Sequence, residues 1–329
     1  MKESRQVELW RDVPPIHPPE RPGDLFPEQN LFPSGRQALS QALLRAGLSR
    51  SKRVACPEWS SHCVLSAVSR YATPVPMWEA TQHGFAVDAV VLYEQWGWPF
   101  SRAAWEHLSD MRDNTLLVWD RVDSADFLSR IEMPISSPSL VADMTSLSKL
   151  LGLPGGGILR ERAQFVEHRT ESPSAFAQHL AQADSAIKET FEYKEYLKNY
   201  GSAVHPRVSD WMRRNSLSAA LGSEFATRQR HLHTVARSPC AVRWERWMVE
   251  AVEDGAAPGI APLLRGSDQG ALNRAKLSLA EDHQVHTEIY HFNWSGDPTR
   301  PKYEMCLALP VHGLVSRLDD LLKGLEAFK

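Results

Sequence analysis

Cysteine is scarce. Four residues in 329, at Cys56, Cys63, Cys240 and Cys306, are too few and too scattered for a disulfide framework, a thiolate metal site or a redox pair. They read as buried thiols in a reducing compartment. Long apolar runs are missing too: none approaches the roughly 20 residues that span a bilayer. The N-terminus is polar and proline-rich (Pro14, Pro15, Pro18, Pro19) and has no apolar signal-peptide region. There is no basic excess, since 37 Lys and Arg face 40 Asp and Glu for a net charge of −3. That balance excludes a dedicated nucleic-acid surface. The histidines His62, His205, His286, His291 and His312 show no metal-ligand spacing, and there is no repeat or low-complexity tract. A soluble cytoplasmic protein is expected, without metal, membrane or nucleic acid. Its hydrophobic share of 43% allows a large core.

What is present is an alternation of short apolar runs with helical segments. Residues 1–30 read as an arm extended by prolines. Ser34 is an N-cap candidate for a helix carrying Ala38, Leu39, Ala42, Leu43 and Ala46 at helical spacing and ending at Gly47. Val54–Cys56, Thr73–Trp78, Ala89–Tyr93, Thr115–Trp119 and Ser139–Ala142 read as strands, with helices after Cys56 and over Ala103–Met111. This order predicts an α/β fold: a large domain with a mostly parallel central sheet flanked by helices. After Gly157 the pattern changes. Residues 160–200 read as charged helix, Asp210 to about Arg237 as one arginine-rich helix, Arg243–Val252 as amphipathic, and Leu314–Phe328 as a final helix. A smaller C-terminal α+β domain is expected, with the boundary near residue 210 (1–210 and 211–329). The arginines Arg213, Arg214, Arg228 and Arg230 read as a solvated or interface face.

The densest chemical signal is Thr145-Ser146-Leu147-Ser148-Lys149, followed by Gly152 and Gly155-Gly156-Gly157. A lysine between hydroxyls and glycines, just after a buried strand, suits an amine that forms a Schiff base with an aldehyde cofactor. The alternative is a serine-rich loop with an exposed lysine. Asp120 stands at the end of an apolar strand, where α/β proteins place their sites. It either faces a pyridine nitrogen or caps the next turn. Trp59, after Cys56-Pro57-Glu58, either stacks on a flat ring or packs in the rim. Ser34-Gly35-Arg36 opens a helix, whose free N–H groups form a phosphate seat or simply a cap. Ser146 and Ser148 would complete the phosphate cup.

Together and in this order, these elements resemble the pyridoxal-phosphate enzymes of the aspartate-aminotransferase fold (fold type I). Within them the chain is similar to the DegT/StrS-type sugar aminotransferases. Phe32–Leu39 resembles that family's Ser-Gly-Thr-x-Ala-Leu phosphate motif, and Lys52–Pro57 through Val75 its second strand–helix–strand unit. His205–Asp210 resembles its Asn-x-Arg-Met-Ser segment, and Leu307–His312 its Leu-Pro-x-His stretch. The resemblance implies pyridoxal 5′-phosphate (PLP) as cofactor. Lys149 would be the Schiff-base lysine, Asp120 the pyridine-nitrogen partner and Trp59 the stacking residue. Ser34, Gly35, Arg36 and Ser146 would sit around the phosphate. It further implies a homodimer, an amino-acid donor such as glutamate, and a keto-sugar acceptor on a nucleotide carrier. Three positions depart from the family. Arg36 replaces a threonine, Asp123 replaces a Gln or His near the cofactor's ring hydroxyl, and His205 replaces an asparagine given by the neighbouring subunit to the phosphate. Asp123 and His205 leave open a non-catalytic or regulatory binding protein, and a PLP enzyme of different chemistry, such as elimination, also remains.

Overall fold

The computed structural model describes residues 6–18, 31–108, 115–127, 140–161 and 204–328. The strands β1 (Leu31–Phe32), β2 (Arg53–Cys56), β3 (Thr73–Pro76), β4 (Ala89–Tyr93), β5 (Leu116–Asp120), β6 (Leu140–Ser146) and β7 (Gly157–Glu161) form one sheet. Its order is β1-β7-β6-β5-β4-β2-β3. The five strands from β3 to β6 run parallel, while β7 is antiparallel to β6 and β1 to β7. The expected mostly parallel sheet is therefore observed.

β5 lies at its centre and is buried throughout. Alternation sends its side chains to two different cores. Leu116 and Val118 pack with Ala38, Leu39 and Val68 under the helices Gly35–Arg45 and His62–Tyr71. Leu117 and Trp119 pack with Met77 and Trp105 under Met77–His83 and Arg102–Leu108. A strand covered on both faces needs the uninterrupted apolar run that the sequence shows.

The C-terminal part carries a three-stranded antiparallel sheet, in which β10 (Tyr303–Pro310) lies between β8 (Ile260–Leu263) and β9 (Glu288–Asn293). The helices Leu217–Arg237, Arg246–Glu253, Gln269–His283 and Leu318–Leu325 surround it. Its core also takes Leu9 from the arm and Trp96 and Trp98 from the loop after β4. No helix among the described residues is long and apolar enough to cross a membrane.

Several expectations change. Met77 and Trp78, expected to end a strand, open the helix Met77–His83, and the final helix starts at Leu318, not Leu314. Arg160 and Glu161 are not helical but end β7, paired with Asp143 and Ala142; the rest of the expected helix over 160–200 lies outside the described residues. The expected helix from Asp210 to Arg237 is two helices, Pro206–Arg214 and Leu217–Arg237. They part because Asn215 is extended and Ser216 caps the second helix by accepting from Ala219 N. His17 O in the arm accepts from Ser216 N, which fixes the break. Finally, Arg228 does not lie on a solvated arginine face. It is buried, donating to Glu224 Oε1 at 2.8 Å and to the Asp123 carbonyl at 2.7 Å.

Arg228 belongs to a buried ionic chain. Arg11 of the arm reaches the second oxygen of Glu224 at 2.7 Å, so one carboxylate sits between two guanidinium groups. Burial alone would raise the pKa of Glu224; Arg228 and Arg11 outweigh it and hold it below the usual carboxylate value. Nearby His312 is pushed down to about 4, first by burial. It accepts from Leu314 N through Nδ1, and its Nε2–H donates to the Glu8 carbonyl. Because its folded pKa is depressed, Glu224 stabilises the fold at neutral pH, and the contribution is lost as pH falls through the acid range. Glu224→Ala would leave two buried arginines facing each other, and should lower unfolding stability by about 3–5 kcal/mol at pH 7. Urea denaturation would show this as a lower midpoint, and a midpoint within error of wild type would contradict it.

Candidate active site

The site forms where the parallel strands end. Register places Tyr93 of β4 beside Asp120 of β5. Asp120 is 2% exposed, and its Oδ1 accepts from Val122 N at 3.2 Å. Its pKa is raised to about 7, first by burial and further by the neighbouring charge of Asp123; the Val122 bond and Lys149 oppose the rise. Three residues on, Asp123 is also buried. Its Oδ2 accepts from the Tyr93 hydroxyl at 3.1 Å, and its Oδ1 accepts from the indole of Trp10 at 3.2 Å. Burial and the adjacent Asp123 charge push the Tyr93 hydroxyl well above its ordinary value, so it donates.

Lys149 reaches this cluster from the short helix Leu147–Leu151. Its ammonium lies 3.8 Å from Asp123 Oδ1 and 3.8 Å from the centre of the Trp10 ring. The structure thus brings Lys149, Asp120 and Asp123 together, as the spacing suggested.

The phosphate-seat residues converge on the same sheet end. Ser34 caps the helix Gly35–Arg45, its hydroxyl accepting from Gln37 N at 3.2 Å. A Cβ on Gly35 would lie 3.3 Å from Val122 Cγ1 and 3.4 Å from Ser146 Cβ. The helix start, the Asp120 turn and the end of β6 therefore meet around Gly35. Ser146 and Ser148 share a hydrogen bond of 2.9 Å. Arg36 is half-buried in the first turn. Two glycines after the lysine serve the walls of the site rather than an approach to the cofactor. A Cβ on Gly157 would sit 2.3 Å from Ser34 O, and one on Gly152 would sit 2.7 Å from Val13 N of the arm.

Trp59 and His205 stand apart from this centre. Trp59 is 54% exposed and stacks on His291 of β9, with ring centroids 4.5 Å apart. It lines a small cleft of about 30 Å³ with Tyr93, Trp98, Phe100, Trp247 and Tyr303. Tyr93 links that cleft to Asp123. His205 is exposed and caps Pro206–Arg214, its Nδ1 accepting from Arg207 N at 3.2 Å.

Sequence reasoning missed several residues. Behind the site, the fully buried Arg121 faces Asp126 at 2.9 Å, Asp143 at 3.5 Å and Glu94 at 3.8 Å, and stacks on Trp119 at 4.5 Å. Glu94 in turn accepts from Trp119 Nε1 and Ser124 Oγ. These contacts fix the loop that carries Asp123. An arginine directly after a strand-end aspartate was the available signal. Trp10 and Tyr93 gave none.

Residues 23–167 match the family model described as "Putative PLP-dependent aminotransferase". Among solved structures, the chain is similar to S. venezuelae DesV in complex with a ketimine intermediate (15% identity, TM-score 0.54, covering 91% of this chain and 84% of that one). It is also similar to a DegT DnrJ EryC1 StrS aminotransferase from Brucella abortus (15%, 0.55, 91% and 85%). A third is the PMP form of Spr1654 from Streptococcus pneumoniae, a sugar aminotransferase by its description (12%, 0.56, 95% and 98%). The solved structures agree on the fold, that of the fold type I enzymes, and the family model, matched over part of the chain, is that of a PLP-dependent aminotransferase. No curated protein matches.

The residues fit PLP. A carboxyl buried as deeply as Asp120 is strained as an anion, and a protonated ring nitrogen is the counter-charge it lacks. The absence of a Cβ at Gly35 lets the helix start pack close against Ser146, and backbone N–H groups at a helix start favour a phosphate.

The buried carboxyl has a consequence that needs no cofactor. The folded-state pKa of Asp120, about 7, lies above its unfolded value, so the folded apoprotein holds a proton there that the unfolded chain has lost. Stability should therefore fall as pH rises from about 4 towards neutrality, by up to about 4 kcal/mol from this group. Asp120→Asn removes that slope. Urea midpoints of both proteins at about pH 5 and about pH 8 should show wild type losing ground to the variant at the higher pH. A pH-independent difference would contradict the burial of an ionisable acid there.

Proposed function

We propose that this protein is a PLP-dependent aminotransferase that moves an amino group from an amino-acid donor, glutamate, to a keto-sugar on a nucleotide carrier, with Lys149 and Asp120 as its catalytic residues. The observation that carries the site assignment is the convergence of Lys149, Asp120, Asp123 and the Ser34–Gly35 helix start at one end of the sheet. PLP, when bound, supplies an aldehyde for an amine and a ring that draws electrons from the reacting carbon. Lys149 Nζ is the amine. When free of the cofactor, it would serve as a base that holds and moves a proton at Nζ. Asp120 holds the ring nitrogen protonated. Ser34, Gly35, Arg36 and Ser146 hold the phosphate, Arg36 by charge-assisted bonds. Asp123 orients Lys149, and Trp59 would stack on the ring.

The assembly we propose is a homodimer. His205, exposed at a helix start, would reach the partner's phosphate. Such an interface should bury more than about 2,000 Å².

Two measurements test this reading. Protein supplied with PLP should show a yellow absorption band that glutamate bleaches. Asp120→Asn should keep the band but lose about 10²- to 10⁴-fold in turnover, as for a single electrostatic group. No band, or near-normal turnover in the variant, would sink the assignment. Sedimentation at micromolar concentration should give a dimer, and His205→Ala should weaken cofactor retention without unfolding. A monomer with normal turnover would rule out the shared site.

A further inference from the structure

The arm is the part of the site that its chemistry does not obviously require. Leu9 is buried in the C-terminal core, and Arg11 is paired with the buried Glu224. Val7 is bonded on both sides, its N–H to the Gln284 carbonyl and its carbonyl to His286 N, each at 2.8 Å. Trp10 lies between these anchors, so its indole is held on a rigid segment. Its ring face meets the Lys149 ammonium 3.8 Å from the centroid, and its N–H donates to the Asp123 oxygen that lies 3.8 Å from the same ammonium. The lysine side chain is 36% exposed, so these contacts are partly shielded from water.

The Trp10 face and the Asp123 carboxylate both attract a positively charged amine. A Schiff base to the cofactor takes that amine away. The contacts therefore favour the state in which Lys149 is free of the cofactor.

We propose that Trp10 and Asp123 form a berth for Lys149 while it is off the cofactor, with Trp10 as a positioning residue supplied by the N-terminal arm. The berth rests on the reading of Lys149 as the cofactor's amine. It adds that the arm sets how readily the lysine leaves and returns. A contact made in only one of two states shifts the balance between them, whereas a contact made equally in both shifts nothing.

The test compares Trp10→Leu, which fills space without a ring, with Trp10→Phe, which keeps a ring face but loses the N–H. The holoenzyme is titrated with glutamate at fixed 2-oxoglutarate, and the ratio that bleaches half the yellow band is read. Trp10→Leu should need a higher ratio by about twofold to thirtyfold, the span of a cation–π contact. Trp10→Phe should fall between that variant and wild type. A merely structural role for Trp10 would leave the ratio unchanged, and an unchanged ratio overturns the proposal.

A second reading uses the apoprotein with carbon-13-labelled lysine. The Lys149 ε-methylene protons, assigned by their absence in Lys149→Arg, should be shifted upfield by the Trp10 ring and lose that shift in Trp10→Leu. An unshifted signal in wild type overturns the berth whatever the cofactor does. A shifted signal in a protein that never forms the yellow band shows instead that the proposed function has failed, and the berth fails with it as a device of transamination.

Discussion

An acid cannot stay ionised in a dry interior without a cation to face it. Asp120 is such an acid. The hydrophobic run of β5 carries it to the sheet end, and the helices on both faces seal it there. Lys149 lies against Asp123 instead. Asp120 thus keeps a raised pKa and an unmet need for positive charge. A ring nitrogen protonated when bound would meet that need, and the Ser34–Gly35 helix start, proposed to hold the phosphate, lies at the same end of the sheet.

The surrounding structure holds this arrangement in place through buried charges behind it. Arg121 draws Glu94, Asp126 and Asp143 into one buried cluster beneath the loop. Arg228 holds the Asp123 carbonyl from the opposite side and is tied through Glu224 to Arg11 of the arm. Buried ion networks of this kind add little net stability but are costly to break, so they fix geometry. Here the geometry they fix is the direction of Asp123 and the path of the arm across Lys149.

What could be read in the sequence was local. The apolar run before Asp120, the cap at Ser34 and the hydroxyl–lysine–glycine stretch each depend on neighbours a few residues away, and each was legible. Residues joined over long distances were not. Trp10 meets Asp123 across 113 positions, and nothing in a proline-rich arm foretells an indole at the lysine. Arg228 looked solvated because Asp123 and Arg11, which bury it together with Glu224 of its own helix, come from other parts of the chain. The glycines after Lys149 pointed to the right place for a different reason: they let Ser34 and the arm approach. The helix division at Asn215 was hidden because the bond that fixes it comes from His17.

The central claim is that Lys149 is the amine that holds the cofactor. Borohydride reduction of protein supplied with pyridoxal phosphate, followed by peptide mass mapping, tests it most directly. The account predicts one pyridoxyl adduct, on Lys149. An adduct on another lysine, or none at all, would contradict it.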